Sequence, residues 1–141
     1  MRCSCVHLSV VEALGWAKAA KFEGMIHPLD LDIGLERGAA YLVFGVVVRS
    51  GVVWLYVFPE RGDPELTLVP AVLFKFVDPE LQAGMLFRES SEGPDSFELV
   101  PEIVASCSNW FERYVNEDEE ILALVCQEVQ RLIALNDARD S

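Results

Sequence analysis

The feature that most constrains the fold is a pair of apolar runs in the middle of the chain. Residues 41–48 and 52–58 consist almost wholly of valine, leucine and aromatics, and Arg49-Ser50-Gly51 stands between them. β-Branched and aromatic side chains suit pleated strands, and a short polar insert with glycine suits a tight reversal, so the two runs predict a β-hairpin. Neither run alternates polar with apolar residues. Such a strand has no face to give to water, so the hairpin is expected inside a sheet and covered on both faces. The insert also argues against a transmembrane span over 39–58, since each run alone is too short to cross a bilayer.

Weaker strand signals follow. Residues 66–69 and 72–77 are divided by Pro70, which favours a sheet edge or a bend, and 85–88 reads as a last short strand before a polar loop over 89–96. Before the hairpin, Ser9-Val10-Val11-Glu12 has the form of a capping box. It opens a helix with apolar positions at Val10, Val11, Leu14, Ala17 and Phe22 and a stop at Gly24. Residues 25–38 read as a loop, and Pro59 to Pro64 as an exposed turn.

After the sheet, Ile103, Cys107, Trp110, Phe111 and Tyr114 recur at helical spacing and share one face. Asn116 reads as a fresh N-cap, with Glu117, Asp118, Glu119 and Glu120 in the first turn, where carboxylates suit the unpaired amides. Ile121, Leu122, Val125, Val129, Leu132 and Ile133 form the stripe of that helix. The predicted fold is α+β: a single antiparallel β-sheet with an N-terminal helix and C-terminal helices packed on it, in one domain spanning 1–141. Trp16, Trp54 and Trp110 each lie in an apolar stretch and are expected in the core.

Charge narrows the function. The chain carries a net −12, and the imbalance is uneven: residues 1–88 hold 8 basic and 10 acidic groups, whereas 89–141 hold 3 and 13, a net −10. Nucleic-acid binding depends on cations that displace counterions, so direct binding to DNA or RNA is not expected. Anionic membrane surfaces repel such a chain, while a basic protein would be steered toward it. The acidic positions Glu89, Glu92, Asp95, Glu112, Glu117, Asp118 and Glu120 are the candidate partner-binding residues. Solubility alone is the competing explanation for the charge, and N-terminal helix chemistry the competing one for 117–120.

Chemistry-bearing motifs are sparse. Cys3-x-Cys5-x-His7 is the most metal-like cluster, but zinc takes about four ligands, and Cys107 and Cys126 stand far away in predicted helices. The reading is four free thiols, Cys3 and Cys5 ordinary ones near a frayed terminus and Cys107 and Cys126 packed as small apolar groups, with no metal and no cofactor. His7 and His27 lie in no recognisable catalytic setting, and Asp30 with Asp32, or Glu89 with Glu92, read as solvated loop charges. There is no phosphate loop, dinucleotide glycine pattern, nucleophile elbow or HExxH. No enzyme activity is expected. Residues 1–7 lack the apolar core of a secretory signal, which with the unpaired cysteine pattern points to the cytoplasm.

The middle of the chain also carries a resemblance. Tyr41-x-Val43-x-Gly45, then Val53-Trp54-Leu55-Tyr56-Val57, then Pro70-Ala71-x-Leu73-Phe74-x-Phe76-x-Asp78-Pro79-x-Leu81 resembles small bacterial immunity-type proteins, which accompany polymorphic or contact-dependent toxins. It covers roughly residues 40–81 and consists mostly of strand positions. The resemblance implies an inhibitor that binds a cognate toxin, and a cationic nuclease toxin would suit an acidic partner. The alternatives from other classes are an acidic regulatory or adaptor domain and a small enzyme with a cryptic site.

Overall fold

Residues 1–89 and 95–140 are described by a computed structural model of the chain. The expected hairpin is its centre. β2 (Ala40–Arg49) and β3 (Val52–Pro59) pair antiparallel, and Ser50 and Gly51 turn between them with φ of 49° and 76°. Two consecutive left-handed residues match the right-handed twist of the strands they join. Tyr41 to Phe44 and Leu55 to Phe58 are all buried, so both faces of the hairpin are covered as expected.

β2 organises the sheet because its two edges are used differently. One edge carries β3 along its length; the other is shared by two strands end to end. β1 (Arg2–Cys5) pairs with Ala40 to Leu42, and β7 (Phe97–Pro101) pairs with Val46 to Val48. The changeover falls at a bulge: Val43 opposes Val57 and Gly45 opposes Tyr56, leaving Phe44 as the extra residue. A bulge re-aims the side chain it carries. Here Phe44 is fully buried with its ring 5.4 Å from that of Trp110.

Beyond β1 and β7 lie β5 (Phe74–Asp78) and β6 (Met85–Glu89), each antiparallel to its neighbour. The loop joining them sends Gln82 to the changeover, where its side-chain amide donates to Val43 O at 3.2 Å. β4 (Thr67–Pro70) closes the opposite side against β3. All pairings are antiparallel, and the architecture is the expected α+β.

Helices flank this sheet. α1 (Val10–Ala19) starts as read, with Ser9 Oγ accepting the Glu12 amide at 3.1 Å, but the reciprocal half of the box is absent. The Glu12 carboxylate is held by Arg37 instead. α1 is also kinked: Gly15 has φ 79° and ψ 165°. The kink turns Trp16 outward at 61% exposure, correcting the expectation that it lies in the core, whereas Trp54 and Trp110 are buried. The anticipated single helix through Ile103 and Tyr114 is two short ones, α2 (Glu102–Ala105) and α3 (Trp110–Val115), separated by a left-handed Asn109.

α4 (Glu119–Asp140) buries Ile121, Val125, Val129 and Leu132 at helical spacing. Its cap corrects the expectation for Asn116. Asp118 Oδ1 accepts the Ile121 amide at 3.2 Å, while Asn116 closes α3 by donating its own amide to Glu112 O at 3.0 Å. Among the described residues no helix is long and apolar enough to cross a membrane.

The N-terminal segment differs most from expectation. Residues 2–5 form an inner strand between β2 and β5, so Cys3 and Cys5 are fully buried thiols. Their sulfurs lie 3.7 Å from Tyr41 O and 3.3 Å from His7 O. Loss of water pushes the Cys3 thiol up to about 12. All four cysteines are free, and among the described residues no group of three or more His, Cys, Asp or Glu side chains could hold a metal ion.

Candidate functional site

Six of the seven acidic residues singled out in the sequence fall in two places. Glu89 ends β6 and Asp95 precedes β7, both exposed, so they belong to the β6–β7 hairpin; Glu92 lies outside the described residues. Glu112, Glu117, Asp118 and Glu120 belong to the corner where α3 passes into α4.

At that corner the carboxylates have unequal freedom. Arg113 Nε donates to Asp118 Oδ2 at 3.0 Å, and its Nη2 reaches Glu120 Oε2 at 3.4 Å. The guanidinium, helped by the Ile121 amide, holds the Asp118 carboxyl below the usual carboxylate range. Asp118 is therefore committed to joining the two helices, and Glu120 shares its cation.

Glu117 is placed differently. It sits between α3 and α4 with φ 60°, a left-handed backbone that costs a residue with a Cβ about 1–2 kcal/mol. The fold alone would favour glycine at this point. A charged side chain is kept there instead, on the wall of a groove.

That groove, of about 480 Å³, runs between the α3–α4 corner and residues 63–66 of the connection from β3 to β4. Tyr114 ties the two walls: its hydroxyl accepts the Leu66 amide at 2.9 Å across 48 positions of sequence. Burial pushes the Tyr114 hydroxyl above its ordinary value, and the Glu65 and Asp63 carboxylates add to this against the opposing Leu66 bond. The floor is apolar. Val125 and Val129 are nearly covered, while Leu122 is 36% and Val115 63% exposed. The rim carries Asp63 and Glu65 on one side and Glu117 on the other, and among the described residues no lysine, arginine or histidine lines it. Cys126 faces the same space with an exposed thiol, correcting the expectation that it packs as a small apolar group.

Sequence reasoning missed Asp63, which read only as a charge of an exposed turn, and Glu65, which was not singled out at all. Nothing local marks them, because their partner residues lie some fifty positions away.

A second cavity, of about 310 Å³, lies between β1, β2 and the second half of α4. Its charges are paired: Arg139 with Asp78 and, at 3.4 Å, with Glu80 inside the cavity, and Arg2 with Glu60 outside it at 3.7 Å. Under β7, Glu98 is buried but neutralised by Arg88 at 2.5 Å, and Arg88 also bonds Ala105 O. These are internal ties of the fold. Comparison with known protein families, curated proteins and solved structures yields no match to this chain.

Proposed function

We propose that the protein is a cytoplasmic immunity protein that binds a cognate basic toxin, a cationic nuclease being the class its charge suits, and neutralises it stoichiometrically, without turnover of its own. The observation that carries this reading is the groove at the α3–α4 corner, with an apolar floor, three carboxylates on its rim and no cation among its described lining residues. An apolar floor supplies contact area, and a single-sign rim supplies steering and selectivity for a basic surface. The net −10 of residues 89–141 extends that field, with Glu89, Glu92, Asp95, Glu112 and Glu120 as its outlying charges. The immunity-like pattern at 41–81 agrees with the same reading. In it the basic partner is a protein, and neither nucleic acid nor membrane is contacted directly.

Co-expression with the product of the neighbouring gene tests the proposal. The expected result is rescued growth and a complex that survives purification. Toxicity undiminished by the protein, with no complex formed, would remove the immunity reading.

A further inference from the structure

We infer that the groove receives one face of a cationic amphipathic helix, an inference that rests on the proposed basic partner and specifies the segment it presents. Geometry and charge argue against the other ways of filling it. An added strand needs a run of free backbone groups, yet Pro64 has no amide hydrogen and the Leu66 amide is already given to Tyr114. The nearest strand, β4, is only four residues long and ends in Pro70. A second copy of this chain would bring another −12 against the acidic rim.

What the groove does offer is side-chain contact. Val115 and Leu122 stand exposed above the floor formed by Leu66, Val125 and Val129. Apolar anchors at i, i+3, i+4 and i+7 of a helix suit such a surface. Lysines or arginines flanking those anchors would meet Asp63 and Glu65 on one wall and Glu117 on the other.

Cys126 makes the occupant measurable, because its thiol lines the groove while Cys3 and Cys5 are buried. In a Cys107→Ser background, the alkylation rate of Cys126 is followed with three synthetic peptides. One is a Leu/Lys peptide with leucines at helical spacing, the second has the same composition in strict alternation, and the third is a Leu/Glu helix. The helical Leu/Lys peptide should slow alkylation about tenfold at a free concentration near ten times its Kd, from simple occupancy. The alternating and acidic peptides should not. Val115→Ser with Leu122→Ser should abolish the protection while leaving the melting temperature near wild type, since both side chains are already exposed.

Equal protection by the alternating peptide would replace the helix with an extended occupant. Protection that grows with protein concentration alone would point to a second copy, and no protection by any peptide would overturn the inference. The wider proposal is separable: a toxin that is neutralised while Cys126 stays fully reactive keeps the immunity reading and discards this groove.

Discussion

Gly45→Ala should destabilise the protein, and the sign of the effect is what makes it informative. An ordinary glycine in a strand interior is worse than alanine by roughly 0.5–1 kcal/mol, so the substitution would normally help. At this position a Cβ would meet Leu99 O at 2.9 Å, Val100 Cγ1 at 3.1 Å and Tyr56 Cδ2 at 3.3 Å. The first contact is with a backbone carbonyl of β7, in the strand paired with Val46 to Val48, and it cannot retreat without loosening that pairing. Overpacking of this kind costs about 1–3 kcal/mol, which outweighs the gain from removing glycine. For a chain of this size a 2 kcal/mol loss lowers the melting temperature by roughly 5–10 °C, readable by circular dichroism. A double-mutant cycle with Val100→Ala separates the contacts: relieving the side chain should recover only part of the loss, because the carbonyl remains. A Gly45→Ala protein as stable as wild type, or more so, would refute the shared edge of β2 and the bulge at Phe44.

Val129→Asp, which strands a charge among buried side chains, should cost roughly 3 kcal/mol or more, whereas Gln127→Asp on the exposed side of the same helix should stay within about 0.5 kcal/mol; equal melts would show the helix face to be wrongly drawn. Cys3 has its thiol pKa raised from an ordinary 9.0 to about 12, so its contribution to stability is present below pH 9 and is lost as pH climbs toward 12. Urea midpoints should therefore fall across that window, and Cys3→Ala should flatten the decline; an unchanged slope would contradict the buried setting of β1. Glu117→Gly relaxes the left-handed backbone and should leave stability unchanged or raise it by up to about 1 kcal/mol, while weakening toxin binding. Weaker folding with unimpaired binding would assign Glu117 to the scaffold.

The hairpin was legible because its chemistry is local. Two runs apolar at every position, joined by a serine and a glycine that both accept left-handed backbone, leave few other structures open. α4 was legible for a similar reason: Ile121, Val125, Val129 and Leu132 keep helical spacing whatever surrounds them. The two strands beside β2 were not. Arg2-Cys3-Ser4-Cys5 alternates, but its inward residues are cysteines in a run of four that looks like a polar terminus. In β7 the inward positions include Glu98, whose burial is offset by Arg88 from the neighbouring strand, so the usual polar-out pattern is inverted. The kink at Gly15 and the break at Asn109 were hidden because apolar spacing continues through both. For the site, the acidic bias toward the C-terminus was visible, and Glu117 was among the residues it picked out. The groove itself was not, because it exists only where Tyr114 draws the Leu66 segment, with Asp63 and Glu65, against α4.

The most direct measurement is the association rate between the protein and its toxin as a function of salt, for the wild type and for Glu65→Lys with Glu117→Lys. Asp118 is left intact because it caps α4 and pairs with Arg113. The wild type should associate fast at low salt and slow steeply as screening shortens to about 8 Å at physiological ionic strength. The charge-reversed protein should melt normally, associate far more slowly and lose most of that salt dependence. Identical rates for the two proteins, indifferent to salt, would contradict the acidic groove as the toxin-binding surface.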